Sequence, residues 1–288
     1  MNVKIASAQY DISFLENWQQ YQSKVERWVI EAAEQDAKIL LFPEYASMEL
    51  SSLFGKDVYS CLSKQLAAIQ SVHEDYLDLF RGLAKTYRCI IQPGTFPVKT
   101  DSGAYRNRAY LFTPDAQADY QDKLMMTRFE NEHWLIQKGD ELKCFETEYG
   151  KIAINICYDS EFPMLARKQV EAGANLILVP SCTDTVAGYH RVKIGCQARA
   201  LENQCYVVQS ALVGEAPWSE AVDVNIGASA IYTPVDRGFP DNGILAVGQL
   251  NAVQWVIGEI SLDACGTVRK QGQVFNYRDW PLQTEFTL

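Results

Sequence analysis

Residues 152–180 decide the fold: Ile152-Ala153-Ile154-Asn155-Ile156-Cys157, then Met164–Ala172 closed by Gly173, then Leu176-Ile177-Leu178-Val179-Pro180. The first and last runs are short, apolar and rich in β-branched residues, which reads as strand. The middle run has helical character, and Gly173 suits the left-handed cap that ends a helix. Strand, helix and strand in succession place the chain in the α/β class.

The same reading extends in both directions. Strand patterns recur at Val3–Ala8, Ile39–Phe42, Cys89–Phe96, Tyr105–Thr113, Tyr206–Leu212, Ala228–Thr233, Ile244–Val247 and Trp255–Ser261. Tyr21, Val25, Trp28, Val29, Ala32 and Ala33 repeat at helical spacing, so one face of that helix packs inward. Further helices are expected over Lys64–Tyr87 and His190–Gln204, the latter with Ile194, Ala198 and Leu201 on one face. From Cys205 onward strands dominate, with turn signals such as Asp241-Asn242-Gly243 between them. Two sheets packed face to face with helices outside satisfy this order. With no linker, repeat or low-complexity segment, residues 1–288 are expected to form one domain.

Composition narrows the function. The 288 residues carry a net charge of −10 without a Lys/Arg-rich stripe, which opposes binding to nucleic acid or anionic membrane. No stretch approaches the ~20 apolar residues of a membrane span, and Met1–Tyr10 enters a strand pattern directly, so a cytoplasmic protein is expected. The eight cysteines are scattered, without a C-x-x-C pair or a Cys/His cluster at zinc spacing. Neither a disulfide framework, a metal nor a cofactor is expected.

Three apolar strands or hairpins end on reactive side chains. Leu40-Leu41-Phe42-Pro43 leads to Glu44, the hairpin Tyr105–Tyr120 turning at Thr113-Pro114-Asp115 leads to Lys123, and Ile152–Ile156 leads to Cys157. Strand C-terminal ends are where α/β folds place their sites, so the three can converge. Taken singly, each has an ordinary reading: a turn carboxylate, a surface ammonium, a buried strand end. Only the three together point to catalysis.

Phe42-Pro43-Glu44, Lys123-Leu124-Met125-Met126-Thr127-Arg128-Phe129 and Asn155-Ile156-Cys157-Tyr158-Asp159-Ser160-Glu161-Phe162-Pro163 resemble, in order, the three catalytic blocks of the nitrilase (carbon–nitrogen hydrolase) superfamily. Ile5–Gln9, Gly173–Pro180 and Ala198–Asn203 extend the likeness over most of the chain. The resemblance implies a four-layer α-β-β-α sandwich and hydrolysis of a small non-peptide amide through a thioester on Cys157. Glu44 would be the base that takes the thiol proton and later protonates the leaving amine. Lys123 and the backbone N–H of Tyr158 would hold the oxyanion.

The family often has a second glutamate between its lysine and cysteine blocks. Glu130 and Glu132 both qualify, and Glu132 is preferred because it stands seven residues before Gly139 (139 − 132). Thr183 and His190 are expected to line the substrate loop, whereas Arg199 and Glu202, three apart on a helix, suit a structural ion pair or a subunit contact. The resemblance also implies a homodimer or higher homo-oligomer, with the helices Met164–Ala172 and His190–Gln204 buried between subunits. Many amidases of the family follow the nucleophile with Tyr-Asp-x-Arg; here Glu161 stands at the arginine position. Tyr158-Asp159, where nitrilases usually carry Trp-Glu, favours an amide substrate. The alternatives are a nitrilase or N-carbamoyl-amide hydrolase with the same triad, and a non-catalytic metabolite-binding member.

Overall fold

The opening strand β1 (Asn2–Asp11) joins the two halves of the molecule in the computed structural model, which describes residues 2–286. After it come helix α1 (Trp18–Ala33), β2 (Ile39–Phe42), helices α2 (Lys56–Tyr59), α3 (Leu62–Ile69) and α4 (His73–Tyr87), then β3 (Ile90–Pro93) and β4 (Thr95–Lys99). Strands β5 (Tyr105–Phe112) and β6 (Ala118–Asp122) form the expected hairpin, followed by β7 (Ile136–Gln137), β8 (Cys144–Thr147) and β9 (Gly150–Ile154). The second wound unit is α5 (Pro163–Glu171), β10 (Leu176–Ser181), α6 (Val186–Asn203) and β11 (Tyr206–Glu215). Strands β12 (Val224–Asn225), β13 (Ala230–Tyr232), β14 (Ile244–Val247) and β15 (Gln254–Ser261) precede α7 (Leu262–Gln271) and α8 (Asn276–Asp279).

Strands run in the order β4-β5-β3-β2-β1-β11-β10-β9-β8. Strand β1 pairs in parallel with β2 over Ile5–Ser7, then in parallel with β11 over Gln9–Asp11, and antiparallel with β15. Alternation along β1 assigns its two faces. Ala6, Ala8 and Tyr10 pack with Val25 and Trp28 of α1 and Tyr76 and Phe80 of α4, whereas Val3 and Ile5 share a cluster with β9, β10 and β11. Ala166 and Val170 of α5 and Val192, Cys196 and Ala200 of α6 belong to that second cluster. Helix, sheet, sheet and helix therefore form the four layers, and strands covered on both faces read as unbroken apolar runs such as Ile39–Phe42.

Several boundaries differ from expectation for physical reasons. Lys64–Tyr87 is not one helix. Gln70 donates to the Pro97 carbonyl (2.8 Å) and accepts from the Lys99 N–H (3.0 Å), and Val72 leaves helical geometry at φ −111°, ψ 10°. The Cys89–Phe96 run splits at Gly94, which adopts φ +81°. On α6 the buried face is Tyr189, Val192, Cys196 and Arg199, leaving Ile194 63% and Leu201 43% exposed, so the apolar spacing marked the outer face. Helix α7 was not anticipated. No described helix is long and apolar enough to cross a membrane.

Candidate active site

Glu44 lies just past β2, where Pro43 and the positive φ of Tyr45 (+58°) turn the chain sharply. A β-carbon at Gly94 would collide with the Pro43 carbonyl oxygen, so this close approach requires glycine. The carboxylate is buried and fully engaged. Its Oε1 accepts from Asn107 Nδ2 (2.8 Å) and Lys123 Nζ (2.7 Å), and its Oε2 from the backbone N–H of Cys182 (3.1 Å).

Lys123 is fixed through its backbone, donating to the Asn107 carbonyl (2.9 Å) and accepting from the Gly139 N–H (2.7 Å). Its ammonium reaches Glu44 and both oxygens of Glu130, at 2.8 and 2.7 Å. Glu130 also accepts from the Tyr45 hydroxyl (2.6 Å), the Thr127 N–H (2.9 Å) and the Thr127 hydroxyl (2.8 Å).

The carboxylate set against Lys123 is Glu130 and not the expected Glu132, which corrects that expectation of contact. Residues Glu130–Trp134 form a single π-helical turn in which the two carboxylates face apart. The Glu132 side chain is 47% exposed and pairs with Arg128 at 2.7 Å, whereas that of Glu130 is 3% exposed. The spacing to Gly139 missed this, but Thr127-x-x-Glu130 is a capping-box pattern. The Glu130 N–H donates back to the Thr127 hydroxyl at 3.3 Å, which completes the reciprocal pair.

Cys157 sits three residues beyond β9 and opens a 3₁₀ turn, Cys157–Glu161, at φ +48°. A left-handed conformation at a non-glycine residue is strained and persists only where its surroundings impose it. Asp159 supplies that constraint by accepting from the N–H groups of Ile156 (3.1 Å), Leu124 (3.1 Å) and Met125 (2.7 Å). It ties the nucleophile turn to the lysine segment. The Ser160 hydroxyl donates to the Cys157 carbonyl (2.7 Å), and Arg199, paired with Glu202 as expected, donates to the Ser160 carbonyl (3.2 Å). The thiol itself donates to the Cys182 carbonyl at 3.6 Å.

Burial sets the electrostatics. It raises the Glu44 carboxyl above its ordinary value, with Lys123 offsetting only part of the effect. Burial would raise Glu130 as well, but the Lys123 ammonium and the Tyr45 and Thr127 donors outweigh it and hold Glu130 below the usual range. Two carboxylates on one ammonium are therefore driven apart, Glu44 upward and Glu130 downward. Burial and then Glu44 push the Cys157 thiol well above its ordinary value, which favours the neutral thiol over the thiolate. Burial takes Asp159 up to about 7.

A cavity of about 520 Å³ opens over these groups, a size suited to a small molecule. Tyr158 and Thr183 line it. His190 does not; it is exposed on α6, and its neighbour Arg191 reaches the cavity instead. Sequence reasoning also missed Asn107, which donates to both carboxylates from mid-strand, and the Cys182 peptide. Among the described residues no group of three His, Cys, Asp or Glu could hold a metal ion.

The carbon-nitrogen hydrolase family profile matches residues 4–270. The chain belongs to this family. A probable hydrolase of Bacillus subtilis, YhcX, is 36% identical over 277 residues, covering 96% of this chain and 53% of that protein. The chain thus spans about half the length of that relative. Omega-amidase NIT2-B of Xenopus laevis is 26% identical over 224 residues, 74% of this chain and 75% of its own. Among solved carbon-nitrogen hydrolase folds, an amidase variant from Nesterenkonia sp. AN1 superposes with a TM-score of 0.73 at 18% identity, covering 99% of this chain and 97% of that one. Its active-site cysteine carries the acetamide moiety of fluoroacetamide.

Proposed function

We propose that this chain hydrolyses the C–N bond of a small non-peptide amide through a Cys157 thioester. The observation that carries the reading is the Lys123 ammonium held between Glu44 and Glu130 beside the buried Cys157 thiol. Glu44 accepts the thiol proton as sulfur attacks the carbonyl carbon, and the oxygen of the tetrahedral adduct takes the negative charge. Lys123 and the Tyr158 N–H, in the first turn of the 3₁₀ segment where leading amides lack intrahelical partners, stabilise that oxygen. Glu44 then delivers its proton to nitrogen as the C–N bond breaks. In the second half it deprotonates water, which attacks the thioester, and the departing sulfur recovers the proton. Glu130 stays charged and orients Lys123.

Nitrile hydrolysis by the same residues is the second reading, disfavoured by Tyr158-Asp159 after the nucleophile. The test compares kcat/KM for matched short-chain amides and nitriles, with intact-mass detection of an acyl adduct on Cys157. Amides should be turned over faster, with the adduct lost in Cys157→Ala; faster nitriles would overturn the amide reading.

Eight free cysteines support a reducing compartment such as the cytosol. The exposed Met164 (53%), Ile194 and Leu201 on α5 and α6 support a homo-oligomer that covers these helices.

A further inference from the structure

Outside the Glu44–Lys123–Glu130 group, six acidic or basic side chains among the described residues line the cavity: Arg128, Glu161, Asp184, Arg191, Glu220 and Asp223. Both guanidiniums are already engaged. Arg128 Nε lies 2.7 Å from Glu132, and Arg191 Nε lies 3.7 Å from Glu161. The deeper cation, Lys123, is held by two carboxylates. Asp184, Glu220 and Asp223 have no ion-pair partner among the described residues. A carboxylate on the substrate would therefore have to displace an existing partner, whereas a cation meets unneutralised charge.

Depth gives the same sign. In the Glu161–Arg191 pair the carboxylate is the inner member, 23% exposed against 63% for the guanidinium. Glu161 also ends the same 3₁₀ turn that Cys157 opens, four residues on (161 − 157).

Building on the proposed amide hydrolysis, we infer that the substrate is an amide bearing a cationic group, an ammonium or guanidinium, on the arm remote from the scissile bond. Glu161 receives this group inside the cavity, and Asp184, Glu220 and Asp223 draw it in from solvent. Facing carboxylates of this kind act on both encounter and selection. Arg191 closes the pair with Glu161 until the substrate cation replaces it.

The test measures kcat/KM for three unbranched primary amides of equal length ending in ammonium, methyl or carboxylate. The ammonium amide should exceed each of the others by at least about tenfold, an advantage that shrinks with added salt. In Glu161→Gln that advantage should fall at least about fivefold, and the freed Arg191 should raise the carboxylate amide above its wild-type rate. Preference for the methyl or carboxylate amide in the wild-type protein overturns the inference and leaves amide hydrolysis standing.

A second readout does not require turnover. Cys157 is labelled with 2-aminoethyl and with 2-sulfonatoethyl methanethiosulfonate, each rate being divided by that of a small free thiol. The normalised ratio should favour the ammonium reagent at least about threefold. A ratio of one or below overturns the charge preference by itself, whereas absence of ammonia from all three amides overturns the amide reading.

Discussion

Lys123 Nζ lies 2.8 and 2.7 Å from the two oxygens of Glu130, seven residues on (130 − 123), and 2.7 Å from a single oxygen of Glu44. The ammonium is thus clamped by the carboxylate held below the usual range and touched by the one raised above it. That difference separates two glutamates that are both buried.

Glu130→Gln should lower kcat/KM by at least about 10² and lower the melting temperature, because breaking a buried pair costs ~3–5 kcal/mol. Glu132→Gln should stay within about twofold in activity, since exposed pairs are worth ~0–1 kcal/mol. Steady-state kinetics and thermal unfolding of both variants decide this. Comparable losses in the two would mean that the clamp does not position Lys123. Lys123→Ala should cost about 10²–10³ or more, and a loss under about tenfold would remove Lys123 from the oxyanion site.

Cys157→Ala should abolish turnover while leaving the fold intact, because only the sulfur is removed from a turn held by Asp159 and Ser160. Fluoroacetamide, a weak alkylator of ordinary thiols, should modify Cys157 first, where base and oxyanion donors assist. Peptide mapping that found the partly exposed Cys61 or the buried Cys265 modified earlier would contradict this.

The pH profile follows from the sign of two shifts. Protonated Glu44 cannot accept the thiol proton, so kcat/KM should fall as pH drops through its raised value, giving an acid limb above the ordinary 4.5. The apparent constant belongs to the Glu44–Lys123–Glu130 group as a whole. With the thiol held well above its ordinary 9.0, no gain from free thiolate should appear as pH passes 9. An acid limb at or below 4.5 would argue that Glu44 is not the base.

Light scattering at micromolar concentration should show a dimer or larger assembly. Ile194→Glu combined with Leu201→Glu should reduce it toward monomer, because both side chains lie exposed on α6. A wild-type monomer would refute the assembly.

Strand and helix order was legible because buried strands leave continuous apolar runs and α1 shows its inward face at a 3.6-residue period. The ends of elements were less so. The break at Gln70 depends on β4, a partner distant in sequence, and the exposed apolar spacing of α6 mimics a core face. In the site, Glu44, Lys123 and Cys157 were readable as strand-end residues within motif blocks. Glu130 against Glu132 was a question of which side of one π-turn faces inward, which spacing to Gly139 could not resolve; the Thr127-x-x-Glu130 pattern, not read in the sequence, held that signal. Asn107 had no motif to announce it.

The main chain of Cys182 touches both the proposed base and the proposed nucleophile, its N–H donating to Glu44 and its carbonyl accepting from the Cys157 thiol. The two side chains therefore share a ruler made of main chain. Any shift of the β10 exit moves both atoms together and preserves their separation, so this part of the catalytic geometry is inherited through the path of the backbone. The Cys182 thiol meanwhile donates to Asn225 Oδ1 (3.2 Å), so the ruler is made by the backbone and the side chain serves a separate contact.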